Sequence, residues 1–189
     1  ARTEPVDDLA RLNFAVRVDA PGTLLRDYQT AKDWATDPNG AASLSTRYYL
    51  SDAVFVAAVE GDQEALKNIE SALKKPVYPL YLGRRSCPAG YDLVLGIREE
   101  SAEEALRNEE WHVPEHRRAE FSDPVQLRIL RDAKPGEQGD LVQDVPVSFN
   151  QEHRQYAVRA VVSAEPKTVE NPKGKRHSDV DFMRTVTEA

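Results

Sequence analysis

Hydrophobic and polar positions along this chain repeat with two periods, and the switches between them mark its elements. Val6, Leu9, Ala10 and Leu12 form a short amphipathic helix end, broken at Asn13. Phe14, Val16 and Val18 then alternate with Ala15, Arg17 and Asp19, which reads as a half-buried strand. Pro21-Gly22 signals a turn. Leu24 to Thr30 is a second extended segment, followed by a polar stretch, Ala31 to Thr46. That stretch centres on Asp37-Pro38-Asn39-Gly40, and Asn-Gly is a strong hairpin-turn pair. Arg47 to Glu60 returns as one long strand carrying Tyr49, Val54, Phe55, Val56, Ala58 and Val59. Residues 24–60 therefore read as a long β-hairpin whose distal half is polar. A polar half has no core to bury against, so it is expected to be an arm toward a partner or a mobile loop.

Asp62 is placed to cap the clearest helix, with Ala65, Leu66, Ile69, Ala72 and Leu73 on one apolar face. Lys74 and Lys75 suit its last turn, where the helix dipole favours cations, and Pro76 ends it. Residues 76–91 hold prolines and glycines and read as an ordered loop or broken strand. Leu93, Leu95 and Ile97 alternate as a strand, and Ser101 with Glu104 forms a capping box for a short acidic helix to Glu110. After Pro114 the chain is irregular. Val125, Leu127 and Ile129 then alternate before a Lys134-Pro135-Gly136 turn, and Val142–Phe149 and Tyr156–Val162 give two more strands. Beyond Ala164 the chain is polar and neutral, and is expected to be disordered to about Ser178, with Phe182 and Met183 as a docking point. Many strands with two helices predict an α+β sandwich.

Composition narrows this picture. With 189 residues the chain suits one domain, or one domain with a tail. A lone Cys87 makes no internal disulfide, which favours a reducing, cytoplasmic setting. No apolar run approaches the roughly 20 residues of a membrane span, and residues 1–10 lack a signal peptide's apolar core. Ala1 fits either a removed initiator methionine or an absent N-terminal segment. The net charge of −7 argues against nucleic acid. Its distribution argues back. Residues 74–98 carry five basic groups against Asp92, a net +4, while residues 99–123 carry nine acids against three arginines, a net −6. A basic site can exist on an acidic protein.

Candidate chemistry concentrates in Tyr78-Pro79-Leu80-Tyr81-Leu82-Gly83-Arg84-Arg85-Ser86-Cys87-Pro88. Guanidinium pairs bind phosphate bidentately, tyrosine faces stack on unpaired bases, and Gly83 lets backbone N–H groups approach a phosphate. The stretch reads as a single-stranded nucleic-acid site, or as a surface loop whose arginines pair with the acidic helix after it. A second basic and aromatic cluster lies in the hairpin: Arg26, Tyr28, Thr30, Lys32 and Trp34 on one arm, Arg47, Tyr48 and Tyr49 on the other. Tyr48 and Tyr49 point to opposite faces, so one of them is expected to face a core. His112 and His116 have a nominal metal-ligand spacing, but Pro114 between them and the absence of a helping cysteine predict no metal site. There is no serine-nucleophile motif and no nucleotide-binding glycine pattern, so no cofactor and no catalytic residue is expected, and Cys87 reads as a structural thiol.

Three stretches carry a family resemblance: Leu25-Arg26-Asp27-Tyr28-Gln29-Thr30, Arg47-Tyr48-Tyr49-Leu50-Ser51-Asp52-Ala53-Val54-Phe55, and Tyr81 to Pro88. Over residues 5 to about 162 the chain resembles the subtype-E Cas five family, the repeat-associated (RAMP) subunits at the 5′ end of type I-E CRISPR Cascade complexes. The resemblance implies a ferredoxin-like, RRM-type core over residues 1–163, a hairpin thumb at about 26–49, and a polar tail at 164–189. It implies a non-catalytic subunit that grips the 5′ handle of the CRISPR RNA through Arg26, Tyr28, Thr30, Arg47, Tyr48, Tyr81, Leu82, Gly83, Arg84, Arg85 and Ser86. Partners would be the guide RNA and the backbone, large and small subunits, with target DNA nearby. Family members open with a strand, a loop and a glycine-rich helix start that this sequence lacks, so a truncated chain without its first core strand is expected. Related subunits of another subtype cleave RNA with Tyr, Lys and His, a trio that does not map here. The rival readings are a metal-independent endoribonuclease using His112, His116 or His153, and a protein-interaction module whose acidic helix docks a basic partner.

Overall fold

The structure, a computed structural model, describes residues 9–32, 35–37, 39–90, 92–148 and 155–176. Strands β1 (Asn13–Ala20), β2 (Thr23–Ala31), β3 (Ser43–Ser51) and β4 (Val54–Glu60) lead into helix α1 (Gln63–Lys74). Helix α2 (Ala102–Asn108), β5 (Ser122–Asp123), β6 (Val125–Asp132), β7 (Asp140–Ser148), β8 (Gln155–Val169) and β9 (Lys175–Arg176) complete the order. A five-stranded sheet has the order β4-β1-β6-β8-β7, while β2 with β3 and β5 with β9 form separate two-stranded sheets. This is the α+β class that the pattern predicted. The chain divides into two compact units, Ala1–Arg17 with Ala57–Glu110 and Arg128–Lys167, and Val18–Val56 with Trp111–Leu127 and Thr168–Ala189.

In the first unit both helices begin where their caps predict. The Asp62 carboxylate accepts the N–H groups of Glu64 and Ala65 at 3.0 and 3.1 Å. Ser101 and Glu104 close a reciprocal capping box on α2, which buries Ala102 and Leu106. The far end of α2 is held by cations. Arg17 is fully buried, and its guanidinium donates to the carbonyls of Leu106 (2.5 Å), Glu109 (2.7 Å) and Glu110 (2.5 Å). Lys167 Nζ donates to the Glu109 carbonyl as well, at 2.6 Å. The carbonyls of Leu106 and Glu109 are among those that a helix end otherwise leaves unpaired, and these donors sit at the negative end of its dipole. Arg131 bridges Glu103 and Glu137, and Arg159 bridges Asp132 and Asp144.

In the second unit Ala20, Trp111, Val113, Val125 and Leu127 form a buried cluster, with Val54, Phe121 and Val169 packed on it. The rings of Trp111 and Phe121 meet edge to face at 5.5 Å, and the Arg118 guanidinium lies 5.1 Å over the Trp111 ring. Buried Asp19 accepts the Trp111 indole N–H on its carbonyl and the His112 backbone N–H on its carboxylate. Buried Asn171 donates to the carbonyls of Arg118 and Ser122.

Four expectations are corrected. In β1 the buried positions are Ala15, Arg17, Asp19 and Ala20, while Phe14 is exposed. The two charged residues are inside because each finds backbone partners, which apolar periodicity does not register. The long return strand 47–60 is two strands, broken at Asp52, whose φ of 60° lies in the left-handed region, so β4 joins the large sheet and leaves the hairpin. Leu93, Leu95 and Ile97 form no strand and are each about 40% exposed. Alternation suits a strand, but a strand also needs a hydrogen-bonded neighbour. Finally, residues 164–169 continue β8, and Asn171 to Arg176 dock by Asn171 and by the parallel β5–β9 pair, so order extends past residue 163. Val6, Trp34, Phe149, His153, Phe182 and Met183 lie outside the described residues.

Candidate nucleic-acid interface

The hairpin register sorts its candidate residues by face. Arg26 pairs with Tyr48, Tyr28 with Thr46, and Thr30 with Leu44, so directly opposed residues share a face. Leu24, Arg26, Tyr28, Thr30, Leu44, Thr46, Tyr48 and Leu50 are thus one face, and every one of them is exposed. The Arg26 guanidinium lies 5.6 Å from the Tyr28 ring centroid, a cation–π pair that pre-sets both side chains. Arg47 pairs with Asp27 and lies on the opposite face. The structure therefore gathers Arg26, Tyr28, Thr30 and Tyr48 and sets Arg47 apart. Tyr48 is exposed and Tyr49 half-buried, as their opposite directions predicted. The three exposed leucines are a feature that the basic and aromatic reading missed. Strict alternation with the register would have found them.

The second candidate belongs to the first unit and is a closed loop. Tyr81 and Pro88 form an isolated antiparallel bridge, Leu82 N–H donates to the Cys87 carbonyl at 2.8 Å, and Cys87 N–H donates to the Arg84 carbonyl at 2.9 Å. Gly83 has φ +77°, a conformation open to glycine and strained for other residues, and no atom lies within 4 Å of where a Cβ would stand. Tyr81 and Leu82 are exposed, as are Tyr78 and Val77 before them. Arg84 is half-buried and engaged within the chain, whereas Arg85 and Ser86 are exposed. Arg85 makes no ion pair or hydrogen bond among the described residues. In and beside the acidic helix, Glu103 pairs with Arg107 and Arg131, and Glu109 with Arg98. The guanidinium of Arg107 and then that of Arg131 hold the Glu103 carboxyl below its usual range against its partial burial. Glu104 is likewise lowered, first by the Ser101 hydroxyl.

A shallow groove of about 540 Å³ lined by Leu9, Leu12, Gly61, Ala65 and Ile69 contains none of the candidate residues. Among the described residues no helix is long and apolar enough to cross a membrane.

Comparison with known proteins places the chain in the CRISPR-associated class. Residues 1–162 match the family described as CRISPR-associated protein (Cas_Cas5), and the chain belongs to it. It is similar to the CRISPR system Cascade subunit CasD of Escherichia coli (strain K12), 38% identical over 115 residues that span 52% of this chain and 51% of that protein. The chain thus matches about half the length of that curated relative. Among solved structures it resembles a chain of a CRISPR RNA-guided surveillance complex, with a TM-score of 0.70 and 25% identity over 99% of this chain and 80% of the other. A second, titled as the crystal structure of a Cas protein, matches with a TM-score of 0.60 and 30% identity over 93% of this chain and 75% of the other.

Proposed function

We propose that this chain is a non-catalytic subunit of a type I-E CRISPR surveillance complex, Cascade, and that it holds the 5′ handle of the guide RNA. In this reading its fold is a ferredoxin-like RAMP core and the β2–β3 hairpin is the thumb that meets the backbone subunit. The large and small subunits are further partners. The observation that carries it is the Tyr81–Pro88 loop, whose exposed Arg85 has no hydrogen-bond or ion-pair partner among the described residues of an acidic chain. Family membership and the likeness to a chain of an RNA-guided complex support the assignment. The net charge of −7 fits a subunit whose hold on RNA is shared with its neighbours.

The test is to co-express the chain with the other subunits and a CRISPR RNA, then extract RNA from the purified complex. Guide RNA is expected with the wild type and much less with the Arg84→Ala, Arg85→Ala double variant. Unchanged assembly and guide retention in the double variant would refute the site. Incubating the purified protein with precursor RNA in EDTA tests the non-catalytic part, where cleavage would refute it.

A further inference from the structure

The two adjacent arginines of the loop are not equivalent, and their difference assigns them separate tasks. Arg84 is half-buried and engaged within the chain, and its carbonyl closes the turn by accepting the Cys87 N–H. Arg85 is exposed and makes no hydrogen bond or ion pair among the described residues. The backbone N–H groups of Gly83, Arg85 and Ser86 have no acceptor among those residues either, and the Ser86 hydroxyl has only the weak partner Cys87 Sγ at 3.9 Å. The space where a Gly83 Cβ would stand is open, so another molecule can approach the backbone there. The tip is therefore rich in unused donors on a preformed turn. A guanidinium and a backbone N–H only donate and a phosphate only accepts, whereas most base edges mix donors with acceptors, the N7 and O6 of guanine being the all-acceptor exception.

We propose that the loop tip Gly83–Ser86 is a subsite for one phosphate of the RNA backbone. Arg85 is its contacting side chain, Ser86 and the free N–H groups complete the cradle, and Arg84 is a positioning residue that shapes the turn. This deepens the reading above and rests on it. The subsite reads the sugar-phosphate chain and not the bases, so its contribution is the same for any sequence at that place.

The experiment uses the protein assembled with its co-purified subunits and a synthetic single-stranded RNA carrying the repeat-derived 5′ handle. Arg85→Ala is expected to weaken binding roughly tenfold at about 0.1 M salt, the strength of one charge-assisted hydrogen bond. It should flatten the slope of log affinity against log salt by about 0.7, the share of one single-strand phosphate contact. The loss should be equal on a handle of scrambled sequence, and Arg85→Lys should recover part of it. A scan of single methylphosphonate linkages should find one position where the wild type loses affinity and Arg85→Ala loses nothing more. Arg84→Ala should instead lower the thermal stability of the loop's unit, and Arg84→Ala should leave that one methylphosphonate position sensitive. The proposal is overturned if the Arg85→Ala loss follows base identity with an unchanged salt slope, or if no linkage shows the non-additive behaviour. Wild-type complex that retains no RNA would overturn the functional reading itself. Wild type that binds while Arg85→Ala is indistinguishable from it would overturn the subsite alone.

Discussion

Replacing Arg17 by methionine tests the least expected packing decision in the fold. The side chain is fully buried in β1 and donates hydrogen bonds to the carbonyls of Leu106 in the last turn of α2, of its C-cap Glu109 and of Glu110 just beyond. Hydrogen bonds from a charged donor contribute about 1.5–3 kcal/mol each, and burying the guanidinium costs several kcal/mol. Methionine removes that cost but takes this donor away from one buried and two part-buried carbonyls, of which Glu109's is also reached by Lys167. Breaking such an arrangement from one side costs about 3–5 kcal/mol, so Arg17→Met should lose about 4 kcal/mol. That is a large part of the roughly 5–15 kcal/mol that stabilises a typical domain. In urea, with a slope near 2 kcal/mol per molar, the unfolding midpoint read by far-ultraviolet circular dichroism should fall by about 2 M. Arg17→Lys should fall between the two, because a single ammonium cannot span three carbonyls as the planar fork does. A methionine variant whose midpoint falls by less than about 0.5 M, or rises, would refute the argument that these bonds hold the helix end.

Three further outcomes are expected. Gly83→Ala meets no atom but must adopt φ +77°, so it should cost about 1–2 kcal/mol and lower the melting temperature by a few degrees in differential scanning calorimetry. The Glu137 carboxyl is lowered to about 2, first by hydrogen bonds from Arg131 and then by the Lys134 N–H, and Asp144 is lowered by Arg159. A carboxyl more acidic in the folded chain than in the unfolded one stabilises it above the ordinary value of 4.5 and loses that stabilisation as pH falls toward 2. Melting temperature should therefore drop across that window, and less steeply in Glu137→Gln. Tyr28→Ala and Tyr48→Ala remove exposed rings, so each should change stability by less than about 1 kcal/mol in urea titration while reducing the fraction of chain recovered in the assembled complex.

What could be read from the sequence was local in origin. Asp62 and the Ser101–Glu104 pair act within one helical turn, so both helices start where their caps stand. Val125, Leu127 and Ile129 alternate against polar neighbours, and all three are buried. Elements whose state depends on distant partners were misread. Arg17 is buried by carbonyls about 90 positions away, and Leu93 to Ile97 lacks the neighbouring strand its pattern calls for. Asp52 breaks a continuous apolar run by one backbone angle, which composition does not encode. The candidate residues were found by chemical type, but their grouping was not. The register separates Arg47 from Arg26, and burial separates Arg84 from Arg85.

The break at Asp52 also constrains how the β2–β3 ribbon can change over evolution. Its nine rungs, from Thr23↔Ser51 to Ala31↔Ser43, span about 27 Å at about 3.4 Å per residue. Because side chains alternate, inserting one residue in each strand near the base turns every rung beyond it over, and the Arg26–Tyr28–Tyr48 face would trade places with Arg47 and Asp27. Two residues per strand preserve the face. The arm's length is therefore adjustable in steps of about 7 Å, and paralogues that address differently spaced neighbours should differ by whole steps of this kind.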